Sequence, residues 1–276
     1  MKDTATAISV IMITYNHADY ISKAIEGVLM QKTNFRVELI ISNDASLDGT
    51  HDAIQKAIEN LPENISVTYF NQERNIGMMP NFLFALQQAK SPYLAQCDGD
   101  DYWTDENKLQ KQFDFLEANP DYQICHHNVL ERRGLKYRKR NHKLTEDKTD
   151  DLKRLAQGNF VHSSSIMVRN TVREFPEYFA RAENGDYFLL LLAARKGKLK
   201  YLNEVMSVYR IHNKSSWSSM KKRTQRETHI NFLKNIQQDF TPEINAIFNA
   251  QIKRIEEKNY KMNHTLLGKI KTFLNP

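Results

Sequence analysis

The sequence predicts an α/β fold around a mostly parallel sheet, and three observations carry that prediction. Short apolar, β-branched runs recur at Ile8–Thr14, Val37–Ser42, Ile65–Phe70 and Tyr93–Gln96. Between successive runs lies one segment whose apolar residues repeat at helical spacing. Each run also ends in a polar loop, and strands joined by single helices form right-handed βαβ units with parallel neighbours. In such sheets ligands gather at the carboxyl ends of the strands, where these loops lie.

In chain order, Ile8–Thr14 suits a strand buried on both faces, and Tyr15-Asn16-His17-Ala18-Asp19 ends it. Ile21, Ala24, Ile25, Val28 and Leu29 make a helical stripe, with Asp19 expected as its N-cap. Val37–Ser42 is the second strand; the loop Asn43–Thr50 opens a helix carrying Ile54, Ala57, Ile58 and Leu61 as far as Pro62. Strand Ile65–Phe70, loop Asn71–Pro80, a helix through Phe82, Leu83, Leu86 and Ala89, and strand Tyr93–Gln96 follow. The pattern then loosens. A helix over Asn107–Glu117 and a strand over Gln123–Leu130 are expected. Glu131–Lys143, with Arg132, Arg133, Lys136, Arg138, Lys139, Arg140 and Lys143, reads as a mobile basic loop. A short helix near Thr149–Ala156, a strand over Ser163–Val168 and a helix over Asp186–Lys196 come next, the last closed by Gly197 in a left-handed cap. Strand Val205–Ile211 completes the domain, and from Lys221 the chain is helical and Lys-rich.

Composition bounds the function. The 276 residues, 41% hydrophobic, support one large α/β domain with helical additions. Mean hydropathy is −0.62, and no run of about 20 apolar residues is present to span a bilayer. The polar start Met1–Ala5 lacks the apolar core of a secretory leader, so a cytoplasmic protein is expected. Cys97 and Cys125 lie in apolar runs and read as buried free thiols. A net charge of +6 favours anionic partners without choosing among nucleotide, phospholipid and nucleic acid.

The chemistry concentrates at Tyr93–Trp103, where a strand runs into Asp98, Asp100 and Asp101 around Gly99. Three carboxylates this close repel, and their apolar lead-in adds a desolvation penalty, so a cation is expected among them. Hard oxygen ligands suit Mg²⁺ or Mn²⁺, which also hold phosphate oxygens. Three further strand-end loops add Thr14-Tyr15-Asn16, Asp44 with Ser46 and Asp48, and Arg74 with Asn75. Together they form a uridine-sized slot: a ring to pack on, a carboxylate for a base N–H, and acids for ribose and metal. A nucleotidyltransferase would need a glycine-rich phosphate loop after the first strand, and Tyr15–Asp19 has no glycine. A nucleic-acid binder would leave the acids unexplained, and the basic run is not interleaved with aromatics.

Ile11–Asn16, Asn43–Thr50, Asn75-Ile76-Gly77 with Asn81, and Asp98–Trp103 resemble the signature of the family 2 glycosyltransferases of GT-A fold, over about Ile8 to Trp217. The resemblance implies a Rossmann-like, mostly parallel sheet flanked by helices. It also implies a UDP-sugar donor, Mn²⁺ or Mg²⁺, inversion at the anomeric carbon and a glycan acceptor, lipid-linked in cell-surface polysaccharide synthesis. It assigns residues 1–218 to the catalytic domain (1–103 nucleotide-binding, 104–218 acceptor) and leaves 219–276 as a basic helical extension. Asn43 stands in the first acidic place of the Asp-Asp-x-Ser-x-Asp-Gly-Thr loop; Asp44, in the second, is expected at the uracil, with Arg74 helping to hold the base. Asp98 and Asp100 match the family's Asp-x-Asp motif, with Asp98 expected toward the ribose and Asp100 and Asp101 on the metal. Ser163–Ser165 resembles the lining of the sugar cleft. In Tyr209-Arg210-Ile211-His212, continuing to Asn213 and Trp217, Arg210 is expected on the diphosphate and His212 on metal or phosphate.

Asp186 matches the family's catalytic base, with Gly185 where a glutamate is common and Glu183 in reserve; loss of that acid leaves open a binding module without transfer. His126-His127 reads as a structural pair. In the tail, Leu266, Leu267, Ile270, Phe273 and Leu274 share a helical face, suited either to an anionic membrane at the cytoplasmic side or to packing on protein.

Overall fold

The computed structural model describes residues 6–141, 143–172, 174–182, 184–213 and 219–274, with side chains through 261. Strands β1 (Thr6–Thr14), β2 (Arg36–Asn43), β3 (Ile65–Asn71) and β4 (Tyr93–Gln96) alternate with helices α1 (Ile21–Leu29), α2 (Thr50–Ala57) and α3 (Met78–Gln88). All three pairings, β1 with β2, β1 with β4 and β2 with β3, are parallel. The remainder of the sheet comes from β5 (Tyr102–Trp103), β6 (Tyr122–Arg133), β7 (Lys136–Lys139), β8 (Lys148–Asp150), β9 (Met167–Arg169) and β10 (Lys198–Arg210). The main path runs β3-β2-β1-β4-β9-β6-β10-β5. Strand β9 is antiparallel to both β4 and β6, and so joins the first half of the sheet to the second. Helices α4 (Lys108–Ala118), α5 (Leu152–Ala156), α6 (Gly185–Ala194), α7 (Lys222–Ile236) and α8 (Pro242–Leu274) complete the chain.

The period-two alternation of strands sends neighbouring side chains into two cores. Val10 and Met12 join one cluster with Ile25, Val28 and Leu109, whereas Ile11 joins Phe82, Leu190 and Leu191 on the opposite face. Ile230, Phe232, Leu233, Ile244, Phe248 and Ile252 of α7 and α8 belong to that second cluster, so these helices share the core that holds α6. Among the described residues no helix is long and apolar enough to cross a membrane.

Several local expectations are corrected. Glu131–Lys143 is not a loop through its length: β6 continues to Arg133 and pairs antiparallel with β7, because Gly134 takes the positive φ (58°) that a tight hairpin turn requires. Tyr20 rather than Asp19 holds the cap position of α1, and the turn closes through backbone, with Tyr20 and Ile21 N–H donating to the His17 carbonyl at 2.8 and 2.9 Å. Helix α2 ends at Ala57, short of the exposed Leu61. Ser163–Ser165 is a 3₁₀ turn, and only Met167–Arg169 is strand. Gly197 is not left-handed; a Cβ there would lie 2.4 Å from the Asp121 carbonyl oxygen, so the glycine serves close backbone approach.

Candidate active site

The loops after β1 and β2 are stapled together. Asn16 N–H donates to Ser46 Oγ and Leu47 N–H to Asn16 Oδ1, both at 2.8 Å; Ala18 N–H donates to Asp48 Oδ2 at 3.2 Å. Asn16 sits at φ 56°, a conformation asparagine tolerates, with its side chain spent on the staple. Asn43 donates from Nδ2 to Asn71 Oδ1 at 2.9 Å and accepts the Ser46 hydroxyl at 2.5 Å. An amide can do both; a carboxylate cannot donate. Asp44 accepts Ile76 and Gly77 N–H at 2.7 and 3.0 Å and thereby fixes the loop after β3.

The acid turn closes on the end of β1: Gly99 N–H donates to the Ile13 carbonyl at 2.9 Å, and Asp101 N–H to the Asp98 carbonyl at 3.0 Å. A Cβ on Gly99 would fall 2.6 Å from Thr14 Oγ1 and 2.8 Å from Thr14 Cβ. Gly99→Ala is therefore expected to displace the turn and cost about 1–3 kcal/mol of stability, measured by denaturant unfolding. An unchanged midpoint would show that the turn tolerates the shift.

The three acids have different environments. Asp98 accepts Gln96 Nε2 at 3.0 Å and the Ser163 hydroxyl at 3.1 Å, and burial, then the charge of Asp100, pushes its carboxyl up to about 7. Asp100 Oδ2 lies 3.0 Å from His212 Nε2 and 3.9 Å from His17 Nε2. Burial alone would raise Asp100, but the His212 hydrogen bond and the two imidazoles outweigh it and hold the carboxyl below the usual range. Asp101, 1% exposed, accepts the Arg210 N–H at 2.9 Å, and burial beside Asp100 and Asp98 pushes it well above the usual range. Arg210 lies behind the turn. Its Nη1 donates to the Asp100 carbonyl at 2.9 Å and to the Tyr20 carbonyl at 3.4 Å, while the guanidinium packs 4.4 Å from the Tyr102 ring.

A raised carboxyl weakens the fold as it ionises: stability is full below the ordinary carboxylate range and falls as pH rises through about 7 for Asp98. Asp98→Asn, which keeps both hydrogen-bond partners, is expected to stabilise the chelator-treated protein by about 1–2 kcal/mol near pH 8. The gain in Tm should shrink toward pH 5; a variant that melts lower at both pH values would contradict this.

One cavity of ≈ 780 Å³ joins these groups: Thr14, Tyr15, Asp44 and the three acids line it together with Asp186. Asp186 stands in the first turn of α6, accepts the Tyr187 N–H at 2.8 Å, and is raised by burial. Arg74 is exposed and, like Asn16, Arg210 and His212, lies outside the lining. Met79 fills the space beside Gly185, where an added Cβ would come 2.3 Å from its Cε. Glu183 and Trp217 lie outside the described residues, as do the side chains of the tail from 262 onward.

Sequence reading missed His17 beside Asp100, although its place three residues beyond the strand-end Thr14 is a signal. It also missed the cavity contribution of α7 and α8, through Arg226, His229 and Gln251. His229 Nε2 meets Gln251 Oε1 at 2.5 Å, and Gln251 Nε2 donates to the Ala156 carbonyl at 2.8 Å. His126 and His127 are 2% exposed; burial lowers both, His126 to about 3, so they are neutral core imidazoles.

The donor chemistry fits a divalent cation. Asp100 offers an ionised carboxylate beside His212, and the raised Asp98 marks negative charge that a cation would offset. Among the described residues no three His, Cys, Asp or Glu side chains cluster as a metal-holding group.

The mostly parallel sheet flanked by helices is the fold of GT-A proteins. Residues 9–175 match the family model described as glycosyl transferase family 2, and the chain belongs to that family. An uncharacterized protein of Mycobacterium tuberculosis is 33% identical over 214 residues, 77% of this chain and 61% of that protein. The chain thus spans about three fifths of the length of the first curated relatives it matches. A UDP-Glc:α-D-GlcNAc-diphosphoundecaprenol β-1,3-glucosyltransferase of Escherichia coli, WfaP, is 28% identical over 235 residues, 83% of this chain and 86% of WfaP. The fold matches the crystal structure of Staphylococcus aureus TarS 1-349 in complex with UDP-GlcNAc, with TM-score 0.67, 19% identity, and 93% and 73% of the two chains covered.

Proposed function

We propose that the protein transfers a sugar from a UDP-sugar to a hydroxyl of a lipid-linked glycan, with inversion, in cell-surface polysaccharide synthesis. The observation that carries the reading is the single cavity with Asp44, Asp98 and Asp100 facing it alongside Asp186. Its volume is in the range that holds nucleotide-sized ligands. WfaP's name supports the UDP-sugar and the diphospholipid acceptor.

In this reading Tyr15 packs on the uracil, Asp44 meets a base N–H and Asp98 takes the ribose. Asp100 and His212 hold Mn²⁺ or Mg²⁺, with Asp101 next to them; when bound, the ion supplies charge neutralisation to the leaving diphosphate. Arg210 braces the Asp100 carbonyl from behind. Asp186 removes the proton from the acceptor hydroxyl as the oxygen attacks the anomeric carbon on the face opposite UDP. Burial raises its basicity, which suits that role. The tail helix adds peripheral contact at the inner face of the cytoplasmic membrane.

UDP release from UDP-Glc, UDP-Gal, UDP-GlcNAc and UDP-GalNAc, with and without Mn²⁺ and a glycan-diphospholipid acceptor, tests the reading. Acceptor-stimulated release from one donor is expected; UDP binding with no turnover for any donor would favour a nucleotide-sugar-binding module, the reading that Gly185 motivates.

A further inference from the structure

The β6–β7 hairpin extends the sheet into solvent as a short basic finger. Arg133 pairs directly with Lys136 and Glu131 with Arg138 across the strands, and Lys139 follows opposite Leu130. Like charges placed opposite each other repel, so the Arg133–Lys136 pair weakens the hairpin in isolation. Among the described residues none of Arg133, Lys136, Arg138 and Lys139 is ion-paired. At the tip, next to the positive-φ Gly134, Leu135 is 92% exposed, and Tyr137, two residues further along in β7, is 52% exposed. A fixed apolar tip inside a collar of unneutralised cations has one well-matched counterpart: a surface with anionic headgroups outside and hydrocarbon beneath. At the foot of the finger Arg140, held at 3.0 Å by Glu131, lines the cavity that contains Asp100 and Asp186.

We propose that the β6–β7 hairpin docks the protein on an anionic lipid bilayer, with Leu135 entering the acyl boundary and Arg133, Lys136 and Arg138 on the headgroups. The docking stands on the hairpin alone; its use, to bring the cavity to an acceptor carried by lipid, rests on the reading above.

The test attaches an environment-sensitive fluorophore to Leu135→Cys in the full chain, where Cys97 and Cys125 are both buried. Phosphatidylglycerol-containing vesicles are expected to shift the emission to the blue, and pure phosphatidylcholine vesicles to leave it unchanged. Arg133→Glu with Lys136→Glu and Arg138→Glu should weaken vesicle binding at least tenfold, by about the loss of one headgroup interaction per residue. UDP affinity, measured on the same samples, should not move in this variant; it reports folding and the nucleotide reading separately. Three results would overturn the proposal: flotation with no change in the label, undiminished vesicle affinity in the triple variant, or oligonucleotide binding that the triple variant loses while vesicles bind neither protein.

Discussion

Asp186→Asn is expected to lower sugar transfer by about 10²–10⁴-fold, the range for loss of a general base, while UDP affinity stays within about twofold of wild type. Asparagine retains an oxygen for the Tyr187 N–H, so α6 still begins where it does. What disappears is the ability to take a proton. Because burial raises the Asp186 carboxyl, the acid limb of kcat/KM should lie above the ordinary carboxylate range, with activity falling as pH drops through it. Asp98 titrates near 7 in the same cavity, so the limb is best measured in parallel with Asp98→Asn. Steady-state assays of UDP release decide the matter: unchanged turnover in Asp186→Asn would remove the assignment.

Asp100→Ala is expected to cost about 10³-fold in turnover, several kcal/mol of charge stabilisation at the leaving diphosphate, and to abolish the Mn²⁺-dependent gain in UDP affinity. Asp100 is the acid that two imidazoles keep ionised, against the burial that raises its neighbours. Asp101→Asn should cost much less in metal affinity, because one Asp101 oxygen is already committed to the Arg210 amide. Titration calorimetry of UDP with and without Mn²⁺, and after chelation, separates the two. Equal losses in both variants would mean that Asp101 shares the ion.

The first half of the sheet was readable because its signals are local. Each strand of β1 to β4 is a short, mostly apolar run, interrupted inside only by Ser9, Glu38, Ser66 and Thr68, and each helix between them shows its stripe, so the pattern gives the parallel sheet and the loops that carry Thr14, Asp44 and Asp98. The acid turn was equally legible, since three neighbouring carboxylates repel wherever the chain takes them. The basic hairpin was not. Its strands are polar on both faces, so no alternation marks them, and only Gly134 at the turn hinted at pairing. The start of β10 and the two-residue β5 were also hidden, because a strand that short is defined by its partner.

Sequence by itself therefore determined the sheet of the first half, its helices and the residue types delivered to each strand end. Tertiary structure alone decided their individual roles. It set Asp100 against His212 across 112 positions of chain and turned Asp101 toward the amide of Arg210. It also brought Arg226, His229 and Gln251 from the last helices to the cavity of Asp186. Identical carboxylates differ in proton affinity through burial, hydrogen bonding and nearby charge, and here all three come largely from packing between distant segments.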